Sequence, residues 1–345
     1  ISVTDLNTMT TMMLPEDIPL PRDVNGWPYP PYELFDISYQ WFPDISGPWV
    51  AWMTDDLPPV YDAPYYYFQI VAYNVTTPWV MPRRVTYHLT TPWEGWLPAI
   101  DGTRIVWEDY RNDPDRALGG GGTDNPDIYF ADLTDPVGAN NTLPNYAICT
   151  AAGVQYNPRI SGNLVVWEDR RDGLQADIYA YDLSVDSNGN GIPNWKEPAG
   201  SRPSPDPAEM RLTSTTWDEQ TPDVSGRKIV WVDFRRDDGT DSVSDIYLRD
   251  LSTPSPTAVA ADPMTFRYQP RIDGNQIVWA DFRFGSSDIY WLNLDTGVSV
   301  PVSASLKSED VPDISGRRVT YSQERVGLVF NVWTQQLPPE GMTGV

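Results

Sequence analysis

The sequence predicts an all-β fold, a six-bladed β-propeller closed by an N-terminal strand, and three observations support it. A short motif occurs six times, in which a proline is followed by a variable residue, Ile or Val, Ser or Asp, and Gly. Gly permits a tight turn, and the apolar strand after it ends in a large aromatic residue, Trp in five copies, which suits a core between sheets. The copies begin at Phe42, Leu97, Asn157, Thr221, Gln269 and Val311. A repeat 42 to 64 residues apart that contains only strand and turn signals is typical of propeller blades.

The remaining strands follow from the same repeat. Four copies continue to Asp-Ile-Tyr, at Asp127, Asp177, Asp245 and Asp288. A further strand-like segment follows each copy except the last. The strand count therefore balances if residues 32–38 (YELFDIS) supply the outer strand of the final blade, which removes open sheet edges.

The predicted domain organisation is an arm and a propeller. Residues 1–31 lie outside the repeat, begin with a β-prone Thr- and Met-rich stretch, and end in a proline-rich one, so we expect an extended N-terminal arm. Residues 32–345 form the propeller, and residues 184–208 are an insertion after the third Asp-Ile-Tyr strand. The β-prone start of the arm suits strand addition to a neighbouring copy, which would link subunits head to tail into a filament or surface layer. A disordered or self-packed terminus is the alternative.

Composition restricts the partners. A net charge of −24 argues against nucleic acid and anionic membrane surfaces, because both are negatively charged. No run of 18 apolar residues is present, so the sequence predicts no membrane span. Cys149 is the single cysteine and does not indicate a compartment. The chain opens at Ile1 without Met, which we interpret as a processed chain whose signal peptide has been removed; a truncated chain is the alternative.

The six copies resemble the TolB-type propeller family, whose blades carry a Pro-x-x-Ser-x-Asp-Gly turn, an apolar strand and an Asp-x-Tyr strand. The resemblance covers roughly residues 32–337. This sequence departs from the family in its shorter Ile/Val-Ser/Asp-Gly turn and in an added Trp-x-Asp-x-Arg. The resemblance implies a six-bladed propeller with a protein-binding or scaffolding role, and it does not imply an enzyme.

The insertion contains a candidate calcium loop. It fits the pattern D-x-N-x-N-G-x5-E, which supplies hard oxygen ligands for Ca²⁺ with a sharp turn at Gly191. The predicted ligands are Asp186, Asn188, Asn190, the Ile192 carbonyl, Asn194 and Glu197. No amphipathic helices flank the loop, so it resembles the calcium loops of thrombospondin type 3 repeats and dockerins. A solvated Asn/Gly turn is the alternative. With two charged ligands, modest affinity and a structural role are expected.

The Trp-x-Asp-x-Arg motif gives two interpretations. Its pairs are Asp109/Arg111, Asp169/Arg171, Asp233/Arg235 and Asp281/Arg283. Because an active site is needed once, fourfold recurrence favours a structural latch in which Arg reaches the Asp of the neighbouring strand. A glycosidase site with paired carboxylates is the alternative. His88 is the only histidine, which argues against multi-histidine metal sites and Ser-His or Cys-His catalysis.

Two further features bear on function. Asn74 and Asn140 head glycosylation sequons, which weakly support a secreted chain. Aromatic clusters at residues 27–42 and 65–68 suit either half-buried strands or a sugar- or partner-binding surface. Together these features predict an extracellular or cell-surface, calcium-stabilised structural or interaction subunit, not an enzyme. Its partners would be copies of itself, or a cell-surface protein or glycan. The alternatives are a carbohydrate-binding or carbohydrate-cleaving propeller and a periplasmic accessory that docks another protein.

Overall fold

The computed structural model confirms an all-β, six-bladed β-propeller. It describes residues 2–5, 10–13, 40–54, 68–77, 82–86, 95–113, 125–138, 142–173, 175–198, 200–237, 243–261, 265–303, 305–325 and 329–338. No α-helix occurs within these ranges. The chain divides into two compact units: Ile1–Ile160 with Gly191–Arg202, and Ser161–Asn190 with Pro203–Val345.

Each blade is a sheet of sequential antiparallel strands. The first two blades contain β3 (Gln40–Ser46), β4 (Trp49–Thr54), β5 (Gln69–Asn74), β6 (Arg83–Arg84), β7 (Gly95–Asp101), β8 (Arg104–Asp109), β9 (Asp127–Asp132) and β10 (Tyr146–Cys149). The third and fourth contain β11 (Gln155–Ser161), β12 (Leu164–Asp169), β13 (Asp177–Asp182), β14 (Glu209–Arg211), β15 (Glu219–Ser225), β16 (Lys228–Asp233), β17 (Asp245–Asp250) and β18 (Thr257–Ala260).

The fifth blade contains β19 (Arg267–Asp273), β20 (Gln276–Asp281), β21 (Asp288–Asn293) and β22 (Val298–Pro301). The sixth contains β23 (Glu309–Ser315), β24 (Arg318–Arg325) and β25 (Val329–Gln336), so the described part of this blade has three strands. The predicted closing strand, residues 32–38, lies outside the described residues and stays a prediction.

The repeated Trp residues fill the contacts between neighbouring blades. Trp107 is fully buried and packs with Ile70 of the first blade. Trp231 is likewise fully buried and packs with Val166 and Ile178 of the third blade. Large aromatic side chains exclude much apolar surface from water, so replacing one of them by Ala should cost about 3–5 kcal/mol. At these two contacts the repeat Trp therefore forms a core with apolar side chains of the preceding blade.

Every blade begins with the same backbone distortion. The residue before the proline of each repeat copy has a positive φ of 47–52°, although none of the six is glycine. They are Phe42, Leu97, Asn157, Thr221, Gln269 and Val311. The pairing register shifts at this point, for example between Gln220 and Asp223, which is the mark of a β-bulge. Left-handed conformations are strained for residues with a Cβ, so tertiary contacts must hold them.

The Ser/Asp-Gly turn links one blade to the next. Ser225 Oγ accepts the backbone N–H of Gly274 at 2.9 Å, and Asp273 Oδ2 accepts that of Gly316 at 2.6 Å. The first blade repeats the arrangement, in which Ser46 Oγ accepts the Gly102 N–H at 2.9 Å. The Ser or Asp is therefore an acceptor for the following blade, and Gly exposes its N–H without a side chain in the way.

The N-terminal region contains a hairpin. Strands β1 (Ser2–Asp5) and β2 (Thr10–Met13) pair antiparallel, with Ser2 opposite Met13 and Asp5 opposite Thr10. The β-prone start of the predicted arm therefore pairs with itself within the described residues. The rest of residues 1–31 lies outside them.

Candidate functional site

The first half of the candidate calcium loop is a pair of tight turns in the 161–190 unit. The Asp186 carboxylate accepts the Gly189 N–H at 2.8 Å, and the Asn188 side-chain oxygen accepts the Asn190 N–H at 2.9 Å. Asn188 and Asn190 are exposed. Gly189 has a φ of 71°, a conformation that favours glycine. These bonds bend the chain around its oxygen-bearing side chains.

The second half of the loop is better buried. A single 3-10 turn spans Asn194–Lys196, with Asn194 1% and Glu197 8% exposed. Ile192, whose carbonyl is the predicted ligand, leaves its side chain 41% exposed. The Glu197 N–H donates to the Asn194 carbonyl at 3.2 Å.

The donor set fits a hard cation. It contains two carboxylates, three amide oxygens and a backbone carbonyl, which are oxygen ligands of the kind that Ca²⁺ prefers. The part of the chain that the structure describes holds no group of three or more His, Cys, Asp or Glu placed to bind a metal, and the predicted set would contribute only two such side chains. Calcium binding stays a prediction.

The insertion is anchored to the second blade through Trp195, a contact that the sequence pattern did not indicate. The Trp195 ring is 8% exposed and meets Phe130 and Tyr146 edge to face, with ring centroids 4.8 Å apart in both cases. Arg202 donates to the Ala147 carbonyl at 2.6 Å and to the Trp195 carbonyl. The second half of the calcium loop is thereby fixed against β9 and β10.

An ionic contact strengthens this anchor. Lys196 Nζ lies 2.8 Å from Asp135 Oδ1, and the Tyr146 hydroxyl donates to Asp135 Oδ2 at 3.0 Å. The hydrogen bond to Asp135 raises the pKa of Lys196. A cleft of about 500 Å³ lies beside the anchor, lined by Arg111, Tyr129, Asn145, Tyr146, Ala147, Glu197 and Arg202.

The four Trp-x-Asp-x-Arg motifs form the same closed arrangement. In the fifth blade the Trp279 indole N–H donates to Asp281 at 3.1 Å, and Arg283 donates through Nε at 2.9 Å and Nη2 at 2.7 Å. The Arg283 guanidinium lies 4.0 Å from the centre of the Tyr290 ring, which belongs to Asp-Ile-Tyr. The other guanidinium–tyrosine pairs are Arg111–Tyr129 at 4.0 Å, Arg171–Tyr179 at 4.2 Å and Arg235–Tyr247 at 4.1 Å.

The predicted latch is confirmed, with a different partner. We expected Arg to reach the Asp of the neighbouring strand, but each Arg binds the Asp two residues before it and stacks on the neighbouring strand's Tyr. The backbone turns directly after the strand, as shown by the Arg283 N–H donating to Asp281 at 3.0 Å, so the nearest carboxylate is the motif's own. Other arginines reach the Asp-Ile-Tyr carboxylates: Arg211 binds Asp177.

The remaining predicted residues are placed as follows. Asn74 is the last residue of β5. Its side-chain oxygen accepts the Thr76 N–H at 2.9 Å and the Thr76 hydroxyl at 2.7 Å, so the sequon is a local turn. Asn140 and His88 lie outside the described residues. Among the described residues no helix has the length and apolarity needed to cross a membrane.

Comparison with known proteins supports the fold alone. No family model matches the sequence, and no curated protein matches it. Solved structures do match: a puromycin-hydrolysing peptidase of Mycobacterium tuberculosis shares 14% identity and a TM-score of 0.53 over 88% of this chain and 47% of that one. A structure from a study of two prolyl endopeptidases shares 9% identity and a TM-score of 0.56 over 87% of this chain and 41% of that one.

A TolB structure, from Acinetobacter baumannii, is also similar, at 17% identity and a TM-score of 0.46 over 76% of this chain and 54% of that one. The chain thus spans about half the length of these proteins or less. At such identities the likeness shows the fold alone, and it rests on the two peptidase structures with TM-scores above 0.5.

Proposed function

We propose that the chain is a calcium-stabilised propeller that works as a structural or interaction subunit outside the cell or at its surface, and that it is not an enzyme. The observation that carries this proposal is the anchored insertion. Its Trp195 packs against the second blade, and Trp195 lies within the sequence 186–197 that carries the calcium pattern. Calcium would stiffen this insertion and hold the anchor in place.

The charged repeats support a non-catalytic role. Asp109, Asp169, Asp233 and Asp281 are each 1% exposed or less, and each accepts a Trp indole N–H and an Arg guanidinium. A carboxylate held this way stabilises the strand end and offers no open face to a substrate. The same four residues were the sequence's best candidates for paired catalytic carboxylates.

The expected surroundings fit the loop. Two carboxylates give a calcium site of modest affinity, which suits the millimolar calcium outside cells. The Asn74 sequon stands at a strand end in a turn, a placement open to glycosylation. Both features support an extracellular or cell-surface chain.

Assembly would use the N-terminal hairpin. A two-stranded hairpin is marginally stable alone, and its outer strand edges carry unpaired backbone groups. Pairing of β1 or β2 with a sheet edge of another copy satisfies both needs. We therefore propose that the N-terminal region links copies of the chain.

The calcium proposal is tested by thermal unfolding of the full chain with calcium and with chelator. Glu197→Gln removes the carboxylate at the last position of the pattern, and Glu324→Gln makes the same change at an exposed strand position far along the sequence. Calcium should raise the melting temperature of the wild type and of Glu324→Gln, and should raise that of Glu197→Gln much less. Equal shifts in all three proteins would contradict the proposal.

Assembly is tested by the particle mass of the full chain and of a chain lacking residues 1–24, measured by light scattering with calcium present. The full chain should form oligomers that grow with concentration, and the truncated chain should stay monomeric. A monomeric full chain, or unchanged assembly after truncation, would refute the role of the N-terminal region.

A second candidate, carbohydrate binding, rests on an aromatic cluster at the first blade contact. The Phe68 ring lies 5.1 Å from Trp41 and 5.0 Å from Trp96, and all three are partly exposed. Phe42, 46% exposed, lies 6.5 Å from Trp96. Sugars stack on such rings. Retention of the chain on immobilised polysaccharides, lost in Phe42→Ala, would favour this candidate, and no retention by the wild type would dismiss it.

A further inference from the structure

The blades meet at a repeated buried position where two side chains face one another. One is the first residue of a blade's first strand, whose N–H donates to the residue just before the Asp-Ile-Tyr aspartate of the preceding blade. The backbone N–H of Glu219 donates to the Ala176 carbonyl at 2.8 Å, and that of Glu309 donates to the Ser287 carbonyl at 2.8 Å. The facing aspartates are then Asp177 and Asp288. All lie within the second unit.

At the contact between the fourth and fifth blades, this position holds opposite charges. Arg267 is 0% exposed, and its Nη1 lies 3.3 Å from Asp245 while its Nε lies 3.1 Å from Asp281. Arg236 adds a second guanidinium to Asp245. Buried charges need such partners, and here they have them.

At the contact between the third and fourth blades, both residues are acidic. Glu219 is 0% exposed, its Oε1 accepts the Thr215 hydroxyl, and its Oε2 has no hydrogen-bond partner within the described residues. The facing Asp177 binds Arg211 Nη2 at 2.5 Å.

Arg211 offsets one of the two negative charges of this pair, and the other ionisable groups around the pair do not offset the second. Asp233, on the strand beside Glu219, adds a negative charge, although Arg235 is bound to that carboxylate. Asp172 adds a further negative charge near Asp177, and both carboxylates bind Arg211. Burial raises the pKa of Glu219 to about 7, and burial also raises the pKa of Asp177.

The contact between the fifth and sixth blades repeats the acidic pair. Glu309 is 0% exposed, and its Oε1 accepts the Ser305 hydroxyl at 2.6 Å and the Gln323 amide at 2.7 Å. Glu309 Oε2 and Asp288 Oδ1 have no hydrogen-bond partner in the described part of the chain. Burial, together with the charge of Glu309, raises the pKa of Asp288.

The charges beyond this second pair are already engaged. Asp281 and Arg283 bind each other on the strand beside Asp288. Asp310 accepts hydrogen bonds from the Ser287 hydroxyl at 2.8 Å and from the Tyr268 hydroxyl. No described cation therefore balances Glu309 and Asp288 directly.

Two neighbouring buried carboxyl groups cannot both ionise without a large cost. We propose that each of the two acidic contacts, Glu219–Asp177 and Glu309–Asp288, holds a shared proton, and that these blade contacts loosen when the proton is lost. The contact between them pairs its two carboxylates with Arg267 and has no facing acidic pair. The propeller thus carries a pH-sensitive element in its second unit, independent of calcium.

The direction follows from the pKa values. A carboxyl whose pKa is higher in the folded state than in the unfolded state favours folding while it is protonated. For Glu219 that contribution is complete below its ordinary pKa of 4.5 and is lost as the pH rises towards and beyond about 7. The contacts should therefore weaken from mildly acidic to mildly alkaline pH.

The test compares the wild type with the double variant Glu219→Gln, Glu309→Gln. Gln keeps the shape and offers an amide N–H to the facing Asp, as the protonated Glu does, but it does not titrate. The control is Glu324→Gln. Melting temperatures are measured at several pH values between about 5 and 8.

The double variant should melt higher than the wild type at about pH 8, and that advantage should vanish at about pH 5, whereas the control should follow the wild type throughout. A difference that does not change with pH would overturn the proposal. If the double variant does not fold, infrared spectroscopy of the wild type decides. A carboxylic acid C=O band that persists at about pH 6 and disappears at about pH 9 supports the shared protons, and its absence at pH 6 overturns them.

Discussion

Replacing Asp281 by Ala should destabilise the propeller more than the same change at the matching Asp233. Asp281 is 0% exposed and accepts hydrogen bonds from Trp279, from Arg283 and from the buried Arg267. Burial acts to raise the pKa of Asp281, and hydrogen bonds from Arg283 and Trp279 outweigh it, so the pKa lies below its ordinary value. The carboxylate is therefore charged in the folded state.

The magnitude follows from what each change leaves behind. In Asp281→Ala, Arg267 stays fully buried with one of its two carboxylates missing, and breaking a buried pair costs about 3–5 kcal/mol. In Asp233→Ala, the guanidinium that loses its partner among the described residues is that of Arg235, which is 31% exposed and can be hydrated. Loss of hydrogen bonds to a charged group costs about 1.5–3 kcal/mol there.

The assay is urea unfolding followed by tryptophan fluorescence, with both variants measured under one set of conditions near neutral pH. Asp281→Ala should lower the free energy of unfolding by about 1–2 kcal/mol more than Asp233→Ala, given those ranges. Equal costs, or a larger cost at Asp233, would show that Arg267 does not depend on Asp281.

Three further changes test other parts of the structure. Trp195→Ala should increase proteolysis within residues 184–208, because the anchor to the second blade is lost. The melting temperature of the blades should change little. Unchanged proteolysis would show that the anchor is dispensable. Ser225→Ala should lower the free energy of unfolding by about 1 kcal/mol, because the Gly274 N–H loses its acceptor; Ser252→Ala, in an exposed turn, is the control, and equal costs would contradict the inter-blade role. Thr221→Gly should raise the free energy of unfolding by about 0.5–1 kcal/mol, because Gly adopts the φ of 49° without strain. A loss of stability would mean that contacts of the Thr side chain outweigh the strain.

The periodic parts of the fold could be predicted from the sequence. Alternating strands, Gly turns and buried Trp recur at matching positions, so the six blades and most strand positions follow from the repeat itself. The predicted further strand after a copy is also found, for example β10 (Tyr146–Cys149) and β22 (Val298–Pro301). Repetition averages out the ambiguity of any single strand.

The contacts between repeats could not be predicted in the same way. The partner of Arg283 depends on how tightly the chain turns after β20. The docking of Trp195 depends on which blade the long insertion packs against. No sequence feature predicts the left-handed backbone at Thr221, because neither Thr nor a following proline indicates a positive φ. The Ser/Asp of the turn was visible in all six copies, yet its role as an acceptor for the next blade needed the positions of both blades.

Calorimetric titration of the full chain with CaCl2 is the sharpest test of calcium binding by residues 186–197. We expect one ion per chain with a dissociation constant of about 0.1–1 mM, as in extracellular calcium modules. Asp186→Ala should abolish the binding, and Glu324→Gln should leave it unchanged. Calcium binding at this loop would be refuted if the chain gave no binding heat and no calcium-dependent change in stability at calcium concentrations about 10-fold above that range, or if binding survived Asp186→Ala.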